Sequence, residues 1–120
     1  MTMTFTFTEK ELQSLITKLM EYSNKTMGIK KKDYSPHTNR LDNFNQRAEM
    51  LGVTPAQVCV TDLSKHMQSL CSNVNQSNYT EKWYLFDAET GAEGLTSRII
   101  DSINYLFLLS ACIEAEIKEQ

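Results

Sequence analysis

Apolar side chains recur along this chain at helical spacings over most of its length. Thr8 and Glu11 form a T-x-x-E capping box, and Leu12, Leu15, Ile16, Leu19 and Met20 follow at i, i+3, i+4, i+7 and i+8. That stripe predicts a first helix ending near Tyr22 to Lys25. Residues 26–38 mix Gly28, Pro36 and polar side chains, and Pro36 biases Ser35 away from helix, so a long connecting loop is expected there. A second helix runs from Asn39 or Arg40 to Leu51, with Leu41, Phe44, Ala48 and Leu51 on one face and Gly52 as its left-handed stop. Thr54, Pro55 and Gln57 combine an N-cap, a proline at the first helical position and a capping-box partner. The third helix starts there and extends to about Val74, with Val60, Leu63, Met67, Leu70, Cys71 and Val74 as its apolar seam. A fourth runs from Leu95 or Thr96 to Ile117 and is apolar over most of its circumference, which predicts the central, most buried helix.

Two short stretches follow a different rule. The opening MTMTFTFT alternates Thr with Met or Phe, the period of a strand, and Lys82 to Phe86 is rich in β-favouring aromatics ahead of the turn-like run from Asp87 to Gly91. Residues 75–95 could thus hold a strand that pairs with the N-terminal strip, or form a lid. No internal repeat or low-complexity tract divides the 120 residues, so residues 1–120 read as one all-α, four-helix bundle-like domain with a possible short β addition.

Charge sharpens this picture. The net charge is −3, yet residues 1–47 hold eight basic and five acidic side chains while 48–120 hold four and ten. Lys25, Lys30, Lys31, Lys32 and Arg40 make a basic cluster able to meet phosphates, or simply a solvated loop. An acidic pI of 5.3 argues against duplex DNA as a partner. The longest apolar run, Tyr105 to Leu109, is too short to span a membrane, and the opening lacks the basic-then-apolar profile of a secretory leader. Cys59, Cys71 and Cys112 form no CxxC or Cys/His cluster, which suits reduced thiols. A cytoplasmic protein is expected.

Candidate chemistry lies on helices three and four. Arg98, Asp101, Asn104 and Tyr105, at i, i+3, i+6 and i+7, make a polar seam on a greasy cylinder. Asp62, Lys65, His66 and Ser69 make another on helix three. Buried charge survives only when paired or bound to a ligand, so the two seams face each other either as a structural network or as a pocket holding both charge signs. Asp62 one turn before His66 could fix the imidazole tautomer. No HxxxH, ExxH or CxxC spacing builds a metal site around it, and no cofactor or catalytic set is expected. There is no Gly-rich phosphate loop. Tyr79, Trp83, Tyr84 and Phe86 could stack a base, or bury their segment on the bundle.

The strings DYSPHTNRLDNF at 33–44, AEMLGVTPAQV at 48–58, DLSKHMQSL at 62–70 and EGLTSRIIDSINYLFLL at 93–109 resemble a group of small, mostly phage and prophage proteins, described as a nucleotide-modification-associated helical domain. The similarity covers most of the chain and includes Asp33, Tyr34, Asn39, Arg40, Phe44, Lys65, His66, Glu93, Arg98, Asp101, Asn104 and Tyr105. It implies an all-α fold, a phage context and, for a phage protein, the host cytosol. A more distant similarity is to MazG-type nucleotide pyrophosphohydrolases: Asp101 and Tyr105 fit their last metal-binding helix, but Arg98 stands at the glutamate position and the paired-glutamate helix is absent. An arginine in a degraded metal site favours binding a phosphorylated ligand over cleaving it. The resulting expectation is a nucleotide or nucleotide-signal binder that sequesters a bacterial immune signal, with Arg40, Lys65 and Arg98 on phosphate, His66, Asp101 and Asn104 on polar groups, Tyr105 or an aromatic from 79–86 on the base, and Asp62 among the ligand-binding residues. Two alternatives stand beside it. One is a divergent metal-dependent hydrolase using Asp62, Glu93 and Asp101; the other is an anti-CRISPR-like inhibitor that binds a host defence protein. A homo-oligomer is expected from the broad apolar surface of the fourth helix and the unpaired N-terminal strip.

Overall fold

A computed structural model describes residues 4–31, 37–76 and 94–120. Among them are four helices and no strand: α1 (Glu9–Lys31), α2 (Asp42–Leu51), α3 (Pro55–Asn75) and α4 (Leu95–Lys118). The fold is all-α and bundle-like. No helix is long and apolar enough to cross a membrane among the described residues.

Local chemistry sets most of the ends. Thr8 and Glu11 close the first capping box, the Thr8 N–H donating to Glu11 Oε1 and the Glu11 N–H to Thr8 Oγ1, both at 3.1 Å. At α3 the Gln57 N–H donates to Thr54 Oγ1 at 3.2 Å and the Thr54 N–H to Gln57 Oε1 at 2.8 Å, with Pro55 where a helix has no use for an N–H. Gly52 ends α2 at φ 67°, and the Val53 N–H reaches back to the Ala48 carbonyl at 3.1 Å. Before α2, Asn39 Oδ1 accepts from the Leu41 N–H at 3.0 Å, so a turn occupies 39–41 and the helix starts at Asp42 instead of at Asn39 or Arg40.

Two expectations need correction. The first helix does not stop near Tyr22 to Lys25 but runs to Lys31. Gly28 costs a helix only about 1 kcal/mol, and Thr26 turns its hydroxyl inward to the Tyr22 carbonyl at 2.9 Å, so nothing between 23 and 31 breaks it. Residues 4–8 are not in a strand, since none of the described residues pairs with them; 1–3, and the 82–86 segment, lie outside the described residues. Which face of α3 is inward follows from how the helices meet.

α4 packs against α3 and α1, and α3 packs against α2. Cys59 donates to the Tyr105 carbonyl at 3.5 Å, His66 lies against the Tyr105 ring, and Ser69 meets Arg98. Rising numbers on α3 match falling numbers on α4, so these two helices are antiparallel. α3 therefore presents Cys59, His66 and Ser69 to α4, with Asp62 at the edge of this line turned to Arg47 of α2, whereas Val60, Met67 and Val74 of the apolar seam are half-exposed. α4 does lie between α1 and α3, but it is not buried all round: Leu106, Phe107 and Ile113 are also about half-exposed. The core proper is small and sits where α2, the start of α3 and the end of α4 converge. It comprises Phe44, Ala48, Val58, Cys59 and Cys112, with Leu41, Tyr105, Leu108 and Leu109 packed on it.

Candidate functional site

The polar seam of α4 has to find partners, and it finds several different ones. Tyr105 is the hub. Its ring is set edge-on to Phe44 of α2, with centroids 6.5 Å apart at 70°, and is backed by His66 of α3 at 5.0 Å and 33°. Burial raises the Tyr105 phenol above its ordinary range, and the nearby Asp62 and Asp101 carboxylates push it the same way, so the ring keeps its proton at neutral pH and its hydroxyl can donate.

One position earlier, Asn104 is buried, and Ser23 of α1, itself fully buried, donates its hydroxyl to Asn104 Oδ1 at 2.7 Å. This bond ties α1 to α4 and fixes the orientation of the Asn104 amide. Asn104 and Tyr105 then line, with Asp101 and Leu108 of the same helix, a cleft of about 140 Å³ whose other walls are Met27 of α1, Arg40 before α2, and Asn43 and Phe44 within it. The cleft thus joins one carboxylate, one guanidinium, two carboxamides and an aromatic pair. Four of the residues singled out from the sequence, Arg40, Asp101, Asn104 and Tyr105, meet there.

The other four do not line it. Asp62 is held by Arg47, which donates from its two terminal guanidinium nitrogens, Nη1 and Nη2, to the two carboxylate oxygens at 2.7 and 2.8 Å. Those hydrogen bonds hold the Asp62 carboxyl below the usual carboxylate range, against the opposing effect of burial. Arg98 is hydrogen-bonded to Ser69. His66 lies against the Tyr105 ring without lining the cleft, and Lys65 is exposed on α3. The two seams do face each other, but their meeting line is largely structural: Arg98 with Ser69, His66 with Tyr105, and Asp62 turned to α2.

Sequence reading missed Asn43, Met27 and Arg47. Arg47 had a usable signal, since a carboxylate on the inner face of a helix calls for a cation on an adjacent element. Asn43 and Met27 had none, because one stands at an outward position of a short helix and the other in what read as a loop. For the hydrolase alternative, no three of His, Cys, Asp and Glu come together as a metal cage among the described residues, and Asp62 could join one only by leaving Arg47. Glu93, the basic residue Lys32 and the aromatics at 79–86 lie outside the described residues. Compared with known proteins, the chain matches no family model, no curated protein and no solved structure.

Proposed function

We propose that this protein binds a nucleotide-type ligand by one end in the cleft between α1, α2 and α4, without turning it over. The observation that supports this reading is the convergence of Arg40, Asn43, Asp101, Asn104 and Tyr105 on one small cavity. Asp101 accepts from a sugar hydroxyl or a base N–H, the two carboxamides offer paired donor and acceptor groups, and Arg40 supplies the cation for a phosphate. A volume of about 140 Å³ suits a phosphate or a ribose and falls short of the 300 Å³ or more of typical whole-ligand pockets, so the rest of the molecule projects outward. In the phage context implied by the sequence resemblance, such a binder acts by sequestering a nucleotide signal.

Thermal unfolding in the presence of mono-, di- and cyclic nucleotides tests the reading. A ligand at a hundredfold excess over its Kd stabilises the fold by about 2.7 kcal/mol, which is readily seen as a rise in Tm. Asp101→Ala and Arg40→Ala each weaken that ligand at least tenfold, whereas Lys65→Ala leaves it unchanged. If no nucleotide moves the midpoint, the proposal fails.

A further inference from the structure

We propose that the open side of the α3–α4 pair is covered by a second copy of this chain, so that the protein is a two-fold dimer joined through these helices. Successive residues of a helix turn by about 100°. Val60 follows Cys59, Met67 follows His66, Leu106 follows Tyr105 and Ile113 follows Cys112, and each of those four preceding residues belongs to the α3–α4 contact. Each apolar residue is therefore rotated in the same sense from its own helix's contact line. In an antiparallel pair, rotation in the same sense brings both stripes to one side. Asn104 and Asp62, rotated the opposite way, meet α1 and α2, which occupy the other side together with the cleft. Among the described residues, then, one side of the pair is packed and the other presents a continuous apolar strip.

Two properties of that strip select a second copy as its occupant. The first is area. Val60, Met67, Val74, Leu106, Ile113 and Ile117 are 44–61% exposed. Half the surface of six such residues is roughly 500 Å², near the upper end of what a monomer leaves as a single apolar patch. Two copies face to face would bury about 1,000 Å² from these side chains alone, the least that a biological interface should clear before the surrounding rim is added. A shallow groove bounded by Leu63, Met67 and Cys71 gives a partner side chain somewhere to seat.

The second property is charge. Over 55–75 the only charged residues are Asp62 and Lys65, and over 95–113 only Arg98 and Asp101; Ile117 marks the rim of the strip, where Glu114, Glu116 and Lys118 bring charge back. None of the four within those spans is on the open side: Asp62 faces Arg47, Arg98 faces Ser69, Asp101 is in the cleft, and Lys65 is about half a turn away from Met67 and Val60 around the helix. A surface without charge in a chain that is 22% charged has the composition of an interface core. Its occupant must likewise be apolar and uncharged, and the same strip on another copy satisfies this by two-fold symmetry.

Light scattering on the eluting full-length chain, at about 100 µM, reads the mass directly. The expected value is 27.6 kDa, twice 13.8 kDa. Met67→Glu and Ile113→Glu each convert the dimer to monomer with helicity by circular dichroism retained, and Ile16→Glu on the outer face of α1 leaves the dimer intact. Isotope-filtered NMR on a mixed-labelled wild-type sample provides the second measurement, with contacts expected from the Met67 methyl to methyls of the partner. A wild-type monomer, a dimer broken by Ile16→Glu but not by Met67→Glu, or a mixed-labelled dimer without contacts at Met67 each overturns the proposal.

Discussion

A carboxylate with only 9% of its surface exposed has to be neutralised, and Asp62 meets its cation across a helix–helix contact in Arg47. The fork of the guanidinium matches both carboxylate oxygens, so the pair fixes the angle of α2 on α3 as well as offsetting charge. Because the folded-state pKa of Asp62 is depressed, the stability it contributes is present above the carboxyl's unfolded pKa of about 3.9 and is lost as pH falls below that value. Arg47→Ala removes the largest cause of the depression and leaves burial, which raises the pKa, opposed only by the weaker attraction of Lys65 and His66. The variant is expected to melt about 5 °C below wild type at pH 7, with the gap closing as pH is lowered to 3. Thermal melts at the two pH values check this, and a gap that stays constant would show that the lost contribution is packing and not charge. At this scale the sequence was informative about which residues are polar and inward, and half of those named converge on the cleft. It was silent about their partners, since the Arg47–Asp62 and Ser23–Asn104 bonds join side chains that only the tertiary fold brings together.

The starts and stops of the helices were legible wherever a single residue type does a job no other does as well. Thr54, Pro55 and Gln57 mark the start of α3, and Gly52 marks the end of α2 because its φ of 67° is a conformation that side chains with a Cβ disfavour. A Cβ placed at Gly52 would meet nothing within 4 Å, so the cost of Gly52→Ala is purely one of backbone conformation. Gly52→Ala is expected to destabilise the protein by about 1 kcal/mol, and Gly52→Asn by less, because Asn tolerates the left-handed region; urea unfolding of the two variants measures both. The end of α1 and the exposure of the apolar seam of α3 were not legible, for related reasons. Past Lys25 no local residue type marks where α1 stops, and Met27 lies on a wall of the cleft beside Asn104 and Tyr105. On α3, periodicity located the apolar stripe correctly, and Val60, Met67 and Val74 on it are about half-exposed. A stripe says that a face will be covered; it does not say by which element, nor that the element belongs to the same chain.

For the whole molecule, the arrangement of burial has a thermodynamic consequence. The core of one copy is built from Phe44, Ala48, Val58, Cys59 and Cys112, and the largest side chains that are fully buried are Cys59 and Ser23. Burial pushes the Cys59 thiol up to about 11, so this group behaves as a small apolar filler and not as a nucleophile. Small side chains yield little burial energy, at about 0.8 kcal/mol per CH₂, whereas Val60, Met67, Leu106 and Ile113, each about half-exposed, stand on the open side of α3 and α4. Covering that side by a second copy moves a large share of the stabilisation into the dimer interface, and stability then depends on protomer concentration by mass action. Raising the concentration from about 5 to about 200 µM is expected to raise the wild-type Tm by several degrees. Met67→Glu should melt lower and at a midpoint independent of concentration. Calorimetry across that range distinguishes this from an intrinsically stable monomer, whose midpoint would be flat in both proteins. The cleft is on the packed side of the helix pair, so in the proposed dimer the two clefts would face away from one another, and any ligand-induced stabilisation should persist in Met67→Glu even though its concentration dependence is gone.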